Sequence, residues 1–543
     1  MSTAPSKPLD TLRRLPRLLG IILALLFAAQ VAMAQASRPA SSQDQTTPPK
    51  PNAPPPAGQS TDNKSSEDHE VKITPREAEE LFHSVDEILD FDSKQTGLPI
   101  KHEVKRKLTS RDEVVKFLTK HVNDEDTKRL RRSELVLKKF GLLPHDFDLE
   151  TFFVSLLREE IAGYYDPKTK TVNLLDWVPM EEQEPVMAHE LTHALQDQSF
   201  GMEKWMKKGD KDLAEIRRPL KPEDIENDEI DNAREAVIEG QAQAITFQYA
   251  IAPTGRSIVD SPDLVDSMEE ETLTGTSTTK VFNSAPIFIK ESLTFPYSYG
   301  MDFVIKVLQK GGKEQAFAGM LRNPPHITRQ IMQPETYLSG EKIEPMPVLD
   351  FKSDFKDYQK FDIGAMGEFD VAVLIEQYAG KTVSKLMYPA WRGGYYYAAK
   401  PKQAGEAQAN APLALMYVSR WSSAEKAEQF AAIYAQSLKQ RYKKVDEVGG
   451  SHLPDASAEP AAKNAEPNPK QEEPGPNDLK IDDAEQKAAA VPDLLAGRHA
   501  WNTDNGAVVI EEQGNTVLVT ESLDTATTRT LEKEVFSGST PAR

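Results

Sequence analysis

The stretch Ala188-His189-Glu190-Leu191-Thr192-His193-Ala194-Leu195-Gln196-Asp197 constrains this chain more than any other. Residues four apart on an α-helix lie one above the other on a single face. His189 and His193 therefore aim both imidazoles at one point, with Glu190 beside them. This is the H-E-x-x-H arrangement, in which two neutral imidazoles hold a zinc ion and the carboxylate takes a proton from the water bound there. The flanks read as a helix. Glu181, Glu182 and Glu184 put negative charge in the first turn, where the helix dipole favours it. Pro185 fits only if it also lies in that first turn. Val186, Met187, Leu191, Ala194 and Leu195 form an apolar stripe at helical spacing.

The chain has no Cys. That excludes disulfides, thiolate zinc sites and a cysteine nucleophile, so a third ligand has to be His or a carboxylate. A second helix beginning near Asp228 supplies one. It carries Glu235 and Glu239 four residues apart on one face. Glu239 is the chosen ligand; Glu235 is the fallback, or a partner that orients a ligand His. Gly240 and Ala242 beside Glu239 are small, which suggests close approach to the H-E-x-x-H helix. A mid-helix Gly costs about 1 kcal/mol and needs such a reason.

The N-terminus reads as a secretory signal over 1–34. Arg13, Arg14 and Arg17 precede an apolar core from Leu18 to Ala29, and Ala32-Met33-Ala34 is a small-x-small cleavage site. Its apolar run is short for a membrane span, and no later segment is long enough. The expected location is secreted or periplasmic, with no stable membrane insertion after cleavage. Residues 35–70, rich in Pro, Ser and Gln, read as a disordered tether. The net charge of −20 argues against a nucleic-acid partner.

Ordered sequence begins at Thr74-Pro75-Arg76-Glu77, a capping box with Pro at the first helical position, and that helix is expected to run to about Asp92. Ser110-Arg111-Asp112-Glu113 opens another helix in the same way. Further helices are expected over 126–140 and from Asp148. The periodicity then changes. Gly163-Tyr164-Tyr165, the turn Asp166-Pro167, and Thr171 to Leu175 read as strand, turn, strand.

Several stretches together resemble the gluzincin, thermolysin-like branch of zinc metallopeptidases, and more closely a family of largely uncharacterised secreted bacterial proteins of that type. They are Gly163-Tyr164-Tyr165-Asp166-Pro167, His189 to Gln198, Ala236-Val237-Ile238-Glu239-Gly240, Phe295-Pro296-Tyr297, Pro324-Pro325-His326-Ile327-Thr328, and Gln333-Pro334-Glu335-Thr336-Tyr337. The resemblance covers roughly 75–395. It implies one zinc ion on His189, His193 and Glu239, with Glu190 as base. It also gives the hairpin a role, since in zincin peptidases an edge strand pairs with the substrate backbone; an ordinary hairpin is the other reading. Two positions depart. Many thermolysin-like enzymes carry an acidic residue four positions after the ligand Glu, where this chain has Gln243. Asp197 or Glu235 is the alternative partner for a ligand His. Gln333 stands where a His is frequent in the family.

A peptidase also needs a donor for the developing oxyanion. Tyr297, Tyr299, His326 and Tyr337 are candidates, and Tyr164 and Tyr165 are candidate substrate contacts. Beyond 390 the composition shifts. Trp391-Arg392-Gly393-Gly394 precedes strands over 395–399 and 413–420 and a helix over 423–442. A disordered insert over 451–490 follows, then strands over 497–501, 507–511 and 516–521 and a helix near 524–535. The β-β-α order occurs twice, with Trp501-Asn502-Thr503-Asp504 echoing Trp391-Arg392-Gly393-Gly394.

The sequence thus predicts a mainly helical α+β protein. A zincin-like unit occupies 71–390, a small α+β domain of two similar halves occupies 391–535, and 536–543 is a tail. The small domain is expected to dock on the first unit or on a partner. The expected function is a secreted zinc metallopeptidase that acts on a peptide or protein substrate, a zinc-bound water activated by Glu190 attacking the peptide bond. The alternatives are a zinc-dependent hydrolase of non-peptide amide bonds and a non-catalytic binding protein of zincin fold.

Overall fold

The computed structural model describes residues 73–537 except 111, 115–123, 160–162, 179, 207–212, 214–215, 217, 268–279, 403–410 and 449–493. The expected leader, tether and insert, and residues 538–543 of the tail, lie outside the described residues. The chain is α+β and mainly helical.

Helix α1 (Pro75–Thr96) starts through the capping box. Thr74 Oγ1 accepts from Glu77 N, and Glu77 Oε2 accepts from Thr74 N at 2.7 Å. The helix runs a turn past Asp92 and stops at Gly97, whose left-handed backbone (φ 73°) lets its N–H reach Ser93 O. Strand β1 (Lys105–Thr109) was not expected; its sequence KRKLT has one large apolar side chain and no strand signature. It forms because it lies parallel to β3 (Thr171–Leu175), with Lys105 opposite Thr171 and Thr109 opposite Leu175. Helices α2 (Asp124–Phe140) and α3 (Leu149–Glu159) follow β1 in the chain. Strand β2 (Gly163–Asp166) pairs antiparallel with the other side of β3, so the order is β1-β3-β2 and β2 is an edge. The turn between β2 and β3 is closed by Lys170 N donating to Asp166 O at 2.7 Å, while the Asp166 carboxylate takes Lys168 N and the Thr169 hydroxyl.

Helix α4 (Met180–Phe200) carries the H-E-x-x-H stretch against this sheet. Pro185 lies in its second turn, not the first, so the helix begins earlier than the sequence suggested. Gln183 holds that early start. Its Nε2 donates to Leu175 O at 3.0 Å and Val178 O at 2.7 Å, and its Oε1 accepts from Leu175 N at 3.1 Å. These bonds tie the first turn to β3 and offset the helical hydrogen bond that Pro185 cannot make.

Helix α5 (Ile230–Ile251) is the centre of the helical part, buried on every side from Ala233 to Gln248. Helix α6 (Ser298–Glu314) crosses it, breaks at Gly312 (φ 76°), and is followed by a π-helical turn at Gln315–Gly319. Gly240 serves this crossing rather than the approach to α4 that the sequence suggested. A Cβ on Gly240 would lie 2.2 Å from the Gly300 carbonyl carbon and oxygen, and one on Gly300 would lie 2.4 Å from Ala236 O. Two backbones in contact leave no room for a side chain on either.

The C-terminal half forms one antiparallel seven-stranded sheet, β4 (Tyr358–Ala365), β5 (Trp391–Pro401), β6 (Ala414–Trp421), β10 (Thr516–Glu521), β9 (Gly506–Gln513), β8 (Arg498–Thr503) and β7 (Val445–Glu447) in spatial order. Each half is a three-stranded meander followed by a helix: β4-β5-β6 with α8 (Ala424–Arg441), and β8-β9-β10 with α9 (Thr525–Ser537). The expected unit of two strands and a helix lacked the first strand of the first half, because β4 lies upstream of residue 391. The two Trp motifs are not equivalent either: Trp391 opens β5, whereas Trp501 lies inside β8.

The sheet and the helical part share a core. Phe140 of α2 and Ile375 of α7 (Glu368–Ala379) pack with Tyr417, Trp421, Phe430 and Trp501. A buried ion pair crosses the same junction. Arg441 Nη2 lies 2.7 Å from each Glu521 carboxylate oxygen, Lys139 Nζ lies 3.4 Å away, and the Tyr434 and Tyr442 hydroxyls donate to the same carboxylate. No helix among the described residues is long and apolar enough to cross a membrane.

Candidate metal centre

Helices α4 and α5 pack directly against one another, and their contact brings the three expected ligands together. His189 Nε2 lies 3.1 Å from Glu239 Oε2, and His193 Nε2 lies 3.3 Å from the same oxygen. The two rings are nearly perpendicular, with centroids 4.7 Å apart. Among the described residues this is the one group of three or more His, Cys, Asp or Glu side chains whose ligand atoms all lie within 4.8 Å. All three side chains are buried.

The donor set fits zinc. Two ligands at about 2.0–2.1 Å from a tetrahedral zinc ion are about 3.3–3.4 Å apart, close to the separations found here. Two imidazoles and a carboxylate also leave a fourth position for a reactant, as catalytic zinc sites require. Without an ion the three groups share charge. Burial lowers the His189 pKa. Burial acts the same way on His193, but contact with the Glu239 carboxylate overrides it and lifts that ring to about 9. Burial would raise Glu239, yet the two rings hold it well below the usual carboxylate range.

The outward ring nitrogens have partners that sequence reasoning missed. His193 Nδ1 lies 2.9 Å from Gln196 Oε1, and His189 Nδ1 lies 3.4 Å from the Thr246 hydroxyl oxygen. Asp197 and Glu235 do not fill these places. The Asp197 carboxylate accepts from the Tyr165 hydroxyl at 3.0 Å and from Met202 N at 2.9 Å. Glu235 is buried one turn before Glu239 and lines a separate cavity of about 260 Å³ with Asp228, Glu229 and Asp370. Gln196 was findable, since three residues after His193 is a helical neighbour. Thr246 had no such signal.

Glu190 is buried beside the ligands, and its Oε2 accepts from Tyr165 N at 2.7 Å. Burial raises its carboxyl to about 7. Tyr297 is fully buried with its ring stacked on His189, centroids 6.1 Å apart at 30°. Tyr164 packs into a second apolar cluster with Phe153 and Val186. The remaining candidates are engaged elsewhere. Tyr299 packs on Phe295, the Tyr337 hydroxyl donates to Asn323 O, and His326 is exposed with its backbone N–H on Gln330. Gln333 donates to the buried Glu368 carboxylate.

No protein-family model, curated protein or solved structure matches this chain. The functional reading therefore rests on the geometry of the site.

Proposed function

We propose that this chain is a secreted or periplasmic zinc metallopeptidase of the H-E-x-x-H and distant Glu kind, with a zincin-like catalytic unit. The observation that carries the reading is the convergence of His189, His193 and Glu239 beside a buried Glu190 that is tied to an edge strand. A zinc ion on those three ligands supplies Lewis acidity and lowers the pKa of water at the open position.

The chain's own groups do the rest. The main chain of β2 holds the Glu190 carboxylate. Glu190 takes the proton of the attacking water and delivers it to the leaving nitrogen. The water is thereby divided between the new carboxyl and the new amine. The edge strand β2 offers main-chain groups to an extended peptide, which would add as a further strand.

Metal analysis of the purified protein together with a broad peptide library tests this reading. One zinc per chain and cleaved peptides are expected. Protein without stoichiometric metal sinks the zinc reading, and zinc-loaded protein that cleaves no peptide sinks the peptidase reading.

A further inference from the structure

Two fully buried glutamines lie behind the ligands, and their hydrogen bonds have a single consistent direction. Gln241 Nε2 lies 2.8 Å from Ala316 O and 3.1 Å from Phe317 O. Two carbonyl acceptors demand the amide's NH₂ end there, so Gln241 Oε1 is the acceptor on its other side. That oxygen receives Gln196 Nε2 at 3.0 Å, and the same nitrogen also donates to Ile238 O at 3.0 Å. The Gln196 amide is therefore oriented as well, with Oε1 toward His193 Nδ1 at 2.9 Å. An acceptor at Nδ1 fixes the proton on Nδ1 and leaves the Nε2 lone pair for a metal. The chain of bonds starts on two carbonyls of the π-helical turn Gln315–Gly319, a rare wide turn of the kind that recurs at functional sites.

From this geometry we infer that Gln241 is a positioning residue for the metal centre: anchored on the π-helical turn, it acts through Gln196 to set the tautomer and ring orientation of His193. The inference rests on the proposed metal site and goes beyond it, because Gln241 makes no hydrogen bond with any ligand. The arrangement also accounts for two amides in an apolar core. A buried amide is tolerated when its donors and acceptors are matched, and the bonds of Gln241 lead from the turn to Gln196, whose oxygen meets His193. His189 has a separate anchor. The Thr246 hydroxyl donates to Ala242 O at 2.9 Å, so its oxygen is free to accept from Nδ1.

The test is zinc affinity by chelator competition for the wild type, Gln241→Met, Gln196→Met, the double variant of these two, Thr246→Val and Gln241→Met with Thr246→Val, with melting temperatures measured with zinc and in chelator. Loss of a partner behind a metal ligand typically weakens binding 10–100-fold, and Gln241→Met is expected in that range. The double variant of Gln241 and Gln196 should bind like Gln196→Met alone, since both lie on one path. Gln241→Met and Thr246→Val should combine additively, since they act on different ligands. The melting increment from zinc should shrink in Gln241→Met; a purely structural role would lower both melting temperatures equally. Wild-type affinity in Gln241→Met, or additivity with Gln196→Met, overturns the inference. A wild type that binds no zinc instead overturns the metal site itself. If Gln241→Met does not fold, a zinc-loaded crystal structure of the wild type decides: Nε2 of His193 on the metal and Nδ1 on Gln196 support the relay, whereas metal on Nδ1 refutes it.

Discussion

The backbone N–H of Tyr165 donates to Glu190 Oε2 across 2.7 Å, joining the edge strand to the group proposed as base. The donor is main chain, so the identity of the residue 165 side chain does not enter this bond. Fixed main-chain donors lose no side-chain entropy when they hold a carboxylate in place. The proposed base is thus oriented by the strand on which the substrate is expected to lie.

Glu190→Gln follows directly from that contact. The Gln carbonyl oxygen can still accept from Tyr165 N, so the local geometry survives while the ability to take a proton is lost. Zinc content should remain one per chain, and peptide hydrolysis should fall by about 10²–10⁴-fold, the usual contribution of a general base. Metal analysis beside a single-turnover assay checks both halves. Retained hydrolysis would remove Glu190 from the mechanism.

Tyr165→Phe separates the backbone contact from the side chain above it. It removes the hydroxyl bond to Asp197 at 3.0 Å and leaves the N–H to Glu190 untouched. Stability should drop by about 1 kcal/mol, the net value of a typical hydrogen bond, with kcat changed by less than about threefold. Urea unfolding and steady-state kinetics on the same preparation test this. A large loss of kcat would give the Tyr165 hydroxyl a role in the chemistry.

The α5–α6 crossing makes a different kind of claim. Gly300→Ala would place a methyl 2.4 Å from Ala236 O, and a shift of α5 to relieve that contact would carry Glu239, one turn further along the same helix. Overpacking of this kind costs about 1–3 kcal/mol and occasionally more. Here the cost should be accompanied by weaker zinc binding, because the displaced helix carries a ligand. Calorimetry with and without chelator reads both effects. An alanine variant with wild-type stability would mean that the helices are free to separate.

The parts of this molecule that were legible in sequence are those governed by local rules. The capping box at Thr74 and Glu77, the Asp166-Pro167 turn, and the four-residue spacing of His189 and His193 each depend on neighbours within a few positions. Glu239 was reachable because the absence of Cys narrowed the ligand types. What was missed depends on distant partners. β1 is a strand only because β3 lies beside it, β4 belongs to a sheet whose other strands begin some thirty residues later, and Gln241 bonds to carbonyls 75 and 76 residues away. The role of Gly240 was read correctly as close packing and assigned to the wrong helix, since sequence shows that a residue is small but not what approaches it.

Glu229 predicts a stability contribution that weakens as pH rises from about 4.5 to about 8. Burial is the main cause of its pKa of about 8 against an ordinary 4.5; hydrogen bonds from Thr328 oppose the rise and the nearby Asp370 and Glu368 add to it. Between those two values the folded protein retains a proton that the unfolded chain has lost. The contribution of this group to stability therefore falls as pH rises through that window. Glu229→Gln can still accept from Thr328 N at the same place, and it does not titrate. Its stability relative to wild type should rise from pH 5 to pH 8. Unfolding in chelator at several pH values checks the sign, and a difference independent of pH would show that Glu229 is not held protonated.

Glu521 predicts the opposite slope at acid pH. Burial would raise its carboxyl, but Arg441 and Lys139 pull it down to about 2. Its stabilising contribution is fully present above the unfolded value near 4.5 and is lost as pH falls toward 2. The group sits where α2, α8 and β10 meet, so its protonation should loosen the seven-stranded sheet from the helical part. Breaking a buried pair from one side costs about 3–5 kcal/mol, because the partner charges stay buried without compensation. Glu521→Gln strands Arg441 and Lys139 in that way. It should lower the melting temperature at neutral pH and flatten the acid limb of the stability profile between pH 4.5 and 2. An unchanged acid limb in the variant would place the acid sensitivity elsewhere.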